Sequence, residues 1–257
     1  MGELMKKSYV TAAAPLLGMM LMLSTTHLKA VELKILAGGS MTGSLNELKP
    51  QFERATGHKL TIHFDSTPNL IKQATSGEPF DAGVVPVDVM KDAGARARFT
   101  SEPTTDVARV GFGVVVRAGA PQPDIGTPEK FKQVLLKAQS IATIPESAAG
   151  AQVLRVFERL GISDAMKSKT KVQTSTGAIP QAVAKGEAEL GIFLSNVLVA
   201  QGVEPPVPFP PELQQDLVFT AAVSANSKEM EAAKAFIAYL KSPAGVAIIK
   251  AKGMTPG

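Results

Sequence analysis

The chain has 257 residues, 45% of them hydrophobic and 19% charged, which is typical of a globular protein and excludes disordered and fibrous classes. It contains no cysteine, which excludes disulfides, thiolate metal sites and cysteine nucleophiles. The formal net charge of +4 is not gathered into a Lys/Arg cluster with interleaved aromatic residues, so the sequence predicts no nucleic-acid partner.

The first 30 residues have the three parts of a secretory signal peptide. Lys6 and Lys7 form a basic region, an apolar stretch covers 9–23, and a polar segment leads to a cleavage position near Ala30. A retained membrane anchor is the alternative, but the stretch is shorter than the ~20 residues of a spanning helix and is interrupted by Pro15. We therefore expect export, cleavage near Ala30 and a periplasmic mature protein.

Short β-type runs alternate with helical patterns along the rest of the chain. Thr67 is predicted to cap a helix that has Pro68 at its first position. An earlier helix is expected to bury Leu45, Leu48, Phe52 and Ala55 on one face. The predicted strands are 31–36, 60–64, 82–85, 107–116, 140–143, 171–174, 190–194 and 217–223, and the other predicted helices are 69–76, 128–138, 152–160, 181–185, 228–240 and 245–251.

This alternation, with its short connections, predicts an α/β fold of parallel sheets covered by helices. It falls into two blocks, which indicates two lobes. The Pro-rich segment 204–211 is expected to connect the second block back to the first.

Four loops that follow predicted strands are rich in Gly, Ser, Thr or Ala. They are 38–42, 65–68, 145–150, which contains Ser147, and 175–180. In open α/β sheets, ligands lie beyond the carboxyl ends of strands, against helix N-termini that favour anions. The loops therefore predict an anion site; the alternative is that their hydroxyls only cap helices.

The sequence offers few catalytic groups. Arg109 suits a carboxylate or phosphate through a bidentate guanidinium, or else forms an ion pair. Glu146 and His63 are the candidate catalytic bases. Glu146 lies in a candidate ligand loop, and the alternative is that it is a solvated loop residue. For His63 the alternative is a histidine packed in a strand. No dinucleotide fingerprint, phosphate-binding lysine motif, zinc-protease motif or nucleophile elbow is present, and we predict neither cofactor nor metal.

Several segments, in their order and spacing, resemble periplasmic molybdate-binding proteins. They are the opening strand and loop 33–42, then 64–67, 77–81, 186–192 and the terminal 236–245. The resemblance implies a type 2 periplasmic-binding fold, with two α/β lobes around a ligand cleft, joined by two crossing strands. It places lobe 1 at 31–112 plus 218–257 and lobe 2 at 113–217.

The same resemblance implies the ligand positions Ser40, Thr67, Ala149, Ile179 and Leu194. Ala149 and Ile179 would act through backbone N–H groups. Leu194 departs from the family, which commonly has a tyrosine there, and this puts molybdate itself in doubt. Segment 106–111 is similar to a divergent branch that includes aconitate-isomerase-like proteins.

We therefore expect periplasmic binding of a small anion, an organic carboxylate or an oxyanion, by a monomer that serves ABC import with a permease as partner. The alternative is an isomerase that interconverts cis- and trans-aconitate by an allylic proton shift, with Glu146 or His63 as base and Arg109 as an anchor. A molybdate or tungstate carrier is a third, minor possibility.

Overall fold

A computed structural model describes Gly2, residues 30–100 and residues 104–257. The predicted signal peptide, 1–30, therefore lies almost entirely outside the described residues. Within the described part, no single helix is long and apolar enough to cross a membrane. The pair Met230–Leu240 and Pro243–Ala251 reaches that length and composition together, but it is bent by 57°.

The predicted helices and strands occur in the predicted order, together with short elements at 93–96, 163–169, 195–198, 207–208 and 255–256 that were not predicted. In chain order they are β1 (Glu32–Gly38), α1 (Thr42–Thr56), β2 (Lys59–Asp65), α2 (Thr67–Thr75), β3 (Ala82–Pro86), α3 (Ala93–Arg96), β4 (Thr105–Val110), β5 (Phe112–Val115), α4 (Pro128–Lys137), β6 (Ile141–Thr143), α5 (Ala148–Arg159), α6 (Ser163–Lys169), β7 (Thr170–Val172), α7 (Ala178–Ala184), β8 (Leu190–Leu194), α8 (Ser195–Leu198), β9 (Val207–Pro208), β10 (Leu217–Val223), α9 (Met230–Leu240), α10 (Pro243–Ala251) and β11 (Thr255–Pro256), with 3-10 turns at Gly39–Met41 and Val87–Lys91.

The strands form two sheets, which confirms the predicted two-lobed α/β architecture. One has six strands in the order β11-β4-β10-β3-β1-β2, and the other has five in the order β7-β6-β8-β5-β9. We call the parts of the chain built on these sheets lobe 1 and lobe 2. The chain passes from lobe 1 to lobe 2 at Gly111, between β4 and β5, and returns after β9.

Both sheets are mixed, so the expectation of parallel sheets is only partly correct. β1 is parallel to β2 and β3, and β6 is parallel to β7 and β8. β10 is antiparallel to β3 and β4, and β5 is antiparallel to β8 and β9. The antiparallel strands are those next to the two crossings, where the chain changes sheets.

The predicted single strand 107–116 is wrong, because it is two strands in different sheets. β4 pairs with β10 in lobe 1, and β5 pairs with β8 in lobe 2. Gly111 separates them, and the Phe112 amide is held by the Gln214 side chain from the returning segment, at 2.7 Å. The sequence conceals this break because the residues on either side of it, Val110 and Phe112, are both apolar and buried.

Helix α1 shows how the amphipathic pattern becomes packing. Leu45, Leu48 and Phe52 are buried as predicted, but Ala55 is exposed. Phe52 meets the ring of Phe236 from α9 edge-on, with centroids 5.5 Å apart. The helix ends at Gly57, whose φ of +77° suits glycine. This packing holds α1 against α9, and the loop 38–41 leads directly into the first turn of α1.

Candidate functional site

A cavity of about 180 Å³ lies between the lobes. All four loops singled out in the sequence contribute to its wall, together with aromatic and aliphatic residues from both sheets. The lining residues are Gly38, Gly39, Ser40, Thr42, Phe64, Asp65, Ser66, Thr67, Pro86, Ile144, Ser147, Ala148, Ala149, Thr174, Ser175, Thr176, Phe193, Leu217 and Phe219.

The strand order explains why these loops meet. β1 and β2 are parallel neighbours, so the loops after Gly38 and Asp65 leave the same edge of lobe 1. In lobe 2, β6 is parallel to β7 and β8, so the loop that follows Thr143 leaves an equivalent edge. The two edges meet at Gly39, where a Cβ would make an ordinary van der Waals contact of 3.5 Å with the Thr176 Cγ2 of lobe 2.

Helix α5 directs its first turn at the cavity. Ser147 is buried and caps the helix, its hydroxyl accepting from the Gly150 N–H at 2.9 Å. The Ala148 N–H donates to the Thr67 hydroxyl of lobe 1 at 3.2 Å. The Ala149 N–H has no intrahelical acceptor so near the helix start, and no other acceptor among the described residues. It is therefore available to a ligand.

Thr67 takes a different part from the one predicted. Helix α2 is capped by the backbone of Ser66, and Thr67 is its first helical residue. Its side chain makes no capping bond but accepts from Ala148 across the cleft. The prediction of Thr67 as N-cap is therefore wrong by one position, and its hydroxyl proton stays free to donate into the cavity.

A second hydrogen bond joins the lobes beside the cavity. The Asn196 side-chain amide of α8 donates to the Ser40 carbonyl at 2.9 Å. With the Thr67–Ala148 bond, it holds the cleft closed around the space between the loops.

Besides its hydroxyl groups and amides, the cavity has an apolar part of its wall. Phe64, Phe193, Phe219, Leu217 and Ile144 supply it. The site can therefore hold a solute that has both anionic oxygens and a hydrocarbon part.

Of the described residues that line the cavity, Asp65 alone is ionisable. Burial alone would raise the pKa of its carboxyl, but hydrogen bonds from the Asn69 side chain at 2.8 Å and the Ser66 N–H at 2.7 Å, with a further contribution from His63, lower that pKa below its usual value. Asp65 therefore stays ionised and occupied as an acceptor. Among the described residues, no group of three His, Asp or Glu side chains is placed to hold a metal ion.

The model of the bacterial extracellular solute-binding protein family matches residues 33–255. The chain belongs to this family. A relative from Pseudomonas sp. described as an aconitate isomerase is 31% identical over 252 residues, which cover 93% of this chain and 95% of the relative. The molybdate-binding protein ModA of Azotobacter vinelandii is 29% identical over 246 residues, 88% of this chain and 90% of its own.

Solved structures show the same fold. The periplasmic molybdate-binding protein of Azotobacter vinelandii superposes with a TM-score of 0.72 at 23% identity, covering 87% of this chain and 98% of its own. The sulfate-binding protein SubI of Mycobacterium tuberculosis also gives 0.72, at 15% identity, with 88% and 87% covered. The tungstate ABC transporter protein of Geobacter sulfurreducens gives 0.65 at 18% identity, with 85% and 97% covered.

The structure brings some of the predicted ligand residues of this solute-binding protein together. Ser40, Thr67, Ser147 and Ala149 all line the cavity. Ile179 and Leu194 are fully buried and are not among the lining residues. The Ile179 N–H already donates to the Thr176 carbonyl, at 3.3 Å.

The three predicted charged or catalytic side chains lie elsewhere. Arg109 has a side chain 44% exposed and forms an ion pair with Asp106 at 2.9 Å. His63 is 54% exposed, not packed in the sheet, and contacts Gln73. Glu146 is exposed beside Ser147. None of the three lines the cavity in this closed arrangement.

Sequence reasoning missed the residues that complete the site. Asn196 stands two positions after Leu194, and nothing in its local pattern indicates a partner in the other lobe. Phe193 and Phe219 lie in apolar strand runs that read as core. Ser175 and Thr176 were available from the fourth loop, as hydroxyl residues near a helix start.

Proposed function

We propose that this solute-binding protein holds a small organic anion, a carboxylate, in the interlobe cavity and delivers it from the periplasm to an ABC permease. The observation that carries the proposal is that the cavity combines hydroxyl groups from both lobes and the free Ala149 amide with an aromatic and aliphatic wall. An inorganic oxyanion would use only the polar half of such a site.

Size supports a small solute. Pockets for drug-sized ligands have about 300–1,000 Å³, and this cavity has about 180 Å³. Closure over the solute would bury most of its surface, because Thr67 and Ser40 already contact the opposite lobe. A short di- or tricarboxylate fits these limits.

Neutral donors can stabilise the anion. Each hydrogen bond to a charged group contributes about 1.5–3 kcal/mol. Several together offset a desolvation cost of several kcal/mol per ion. The hydroxyls of Ser40, Thr67 and Thr176 and the Ala149 N–H are the donors that we assign to this role. The negative Asp65 beside them repels an anion, so the net gain is smaller than the sum of these hydrogen bonds.

An aconitate-isomerase-type reaction is the second candidate, and the relative at 31% identity favours it. A base would remove a proton from an allylic carbon of the tricarboxylate, and the proton would return at the other end of the allylic system. Glu146 and His63 remain the proposed bases and Arg109 a proposed anchor. Each would need a change from the closed arrangement to reach a bound solute.

Molybdate or tungstate transport is a third candidate, supported by the molybdate-binding relatives. The apolar cavity wall weighs against it.

A ligand panel with two readouts separates these functions. Purified protein would be titrated with citrate, cis-aconitate, trans-aconitate, molybdate, tungstate and sulfate by calorimetry, and each aconitate would be followed by proton NMR. We expect binding of an organic carboxylate without turnover. Isomerisation of aconitate would establish the enzyme instead, and tight binding of molybdate alone would overturn the carboxylate assignment.

Arg109→Ala tests the predicted anchor in the same assay. The Arg109 side chain is paired with Asp106 and does not line the cavity. If Arg109→Ala leaves carboxylate binding unchanged, Arg109 is not an anchor for the solute. A periplasmic location would be tested by fractionation of cells that express the full chain, and the monomer by light scattering.

A further inference from the structure

Helix α8 carries a side chain that reaches the ligand loop of the other lobe without lining the cavity. The Asn196 Nδ2 donates to the Ser40 carbonyl at 2.9 Å. Ser40 lines the cavity, whereas Asn196 does not. Asn196 can therefore influence a bound solute only through the position of the Ser40 loop and of the lobes.

The same short helix is fixed to the crossing between the lobes. The Ser195 N–H donates to the Gly111 carbonyl at 2.9 Å, where the chain passes from β4 to β5. Gly113 of β5 leaves room for the Ser195 hydroxyl, since a Cβ there would stand 3.0 Å from its Oγ. Helix α8 is thus held at the crossing at one residue and bonded to the ligand loop at the next.

The Asn196 backbone also lies against lobe 1. A Cβ at Gly253, in the turn after α10, would stand 4.0 Å from the Asn196 Cα. The side-chain Oδ1 is buried and has no hydrogen-bond partner among the described residues. The bond to Ser40 is therefore the one hydrogen bond that the described structure gives this side chain when the lobes are closed.

We propose that Asn196 is a positioning residue that keeps the lobes closed over the solute and sets its rate of release. Opening the cleft separates α8 from the Ser40 loop and breaks this bond, so the bond stabilises the closed state alone. The effect on a solute rests on the proposed function, whereas the effect on closure does not.

The first test measures release of a solute. Asn196→Ala and Asn196→Asp would be compared with the wild type by stopped-flow, with citrate or whichever panel anion binds as the probe. We expect dissociation about tenfold faster, as for loss of about 1.4 kcal/mol, with association changed less than about twofold. Unchanged dissociation would overturn the proposal.

Asn196→Asp adds a readout that a purely structural role would not give. The ionised carboxylate cannot donate to the Ser40 carbonyl, but the protonated acid can. Dissociation from this variant should therefore slow towards the wild-type rate as the pH falls. Asn226→Asp, at an exposed position in lobe 1, is the matched control and should follow the wild type throughout. Parallel pH profiles for the two aspartate variants would contradict the proposal.

The second test needs no solute. Because the chain has no cysteine, Gly39→Cys with Thr176→Cys gives one pair, placed where the lobes touch. Oxidative cross-linking then reports the closed population even when it is small. Adding Asn196→Ala should slow cross-linking about tenfold, and adding Asn226→Asp should not.

Equal cross-linking rates with and without Asn196→Ala would overturn the proposal, and a pair that never cross-links would contradict the closed contact itself. Because this result is independent of any ligand, it distinguishes failure of the Asn196 assignment from failure of the carboxylate assignment.

Discussion

Replacing Thr67 by valine removes one hydroxyl at nearly constant volume and tests the polar part of the site. The Thr67 Oγ1 accepts from the Ala148 N–H at 3.2 Å, and the residue is buried between the lobes. In the closed variant this amide has no acceptor. A lost hydrogen bond costs about 1 kcal/mol, and a buried unpaired donor costs about 1–3 kcal/mol.

Because this cost applies only when the lobes are closed, it should appear in ligand affinity more than in folding stability. A total of about 2 kcal/mol corresponds to a Kd about 30-fold higher. If the Thr67 hydroxyl also donates to the anion, the loss will be larger. Calorimetric titration of the panel anion that binds the wild type measures the effect directly.

Thr56→Val is the matched control, because it removes the same atom far from the cavity. The Thr56 hydroxyl donates to the Phe52 carbonyl at 2.9 Å and accepts from the His58 N–H at 3.3 Å. This variant should lose about 1 kcal/mol of stability and keep its affinity. Equal Kd values for Thr67→Val and the wild type would refute the assignment of Thr67 to the site.

Three further substitutions test the fold around the site. Gly150→Ala would place a Cβ 1.8 Å from the Ile144 carbonyl oxygen, so we expect its unfolding free energy, measured in urea, to fall by at least about 3 kcal/mol. Gly43→Ala is the control and should be neutral, because its Cβ would meet only the Lys252 side chain. Equal unfolding midpoints for the two variants would contradict this reasoning. Because the pKa of Asp65 is lowered in the folded protein, the ionised carboxylate stabilises the fold at pH values above the ordinary pKa of 3.8, and this stabilisation is lost as the pH falls through the lowered pKa. The melting temperature of Asp65→Asn should therefore depend less on acid pH than that of the wild type. An unchanged pH profile would contradict this stabilising role of Asp65. Phe52→Ala removes a fully buried ring and should cost about 3–5 kcal/mol of unfolding free energy, measured by calorimetry; a cost below 1 kcal/mol would show that the ring is not part of the core.

The order of the elements and the four loops could be predicted from the sequence, because both depend on local patterns. In each of the four places a β-type run is followed by Gly, Ser, Thr or Ala, and a helix begins within a few residues. Parallel strands then bring such loops to one edge. The loops around Ser40, Thr67, Ser147 and Thr176 accordingly all contribute to the cavity wall.

Long-range choices could not be read from the sequence. The run 107–116 is apolar except for Arg109, and only pairing with strands from distant parts of the chain assigns its halves to different sheets. The guanidinium of Arg109 could bind an anionic ligand, but it forms an ion pair with Asp106, three residues away in the chain. The role of Asn196 depends on a contact with Ser40, which no local pattern predicts.

The position of β10 has a consequence for how the molecule is assembled. This strand lies between β3 and β4, so the interior of the lobe 1 sheet is filled by residues from the last fifth of the chain. The lobe 2 sheet, by contrast, is made from one continuous stretch, β5 to β9. During synthesis, lobe 2 can gather all its strands while lobe 1 still lacks a central one. We therefore expect lobe 1 to finish folding after lobe 2, and the cleft to form only when the chain is nearly complete.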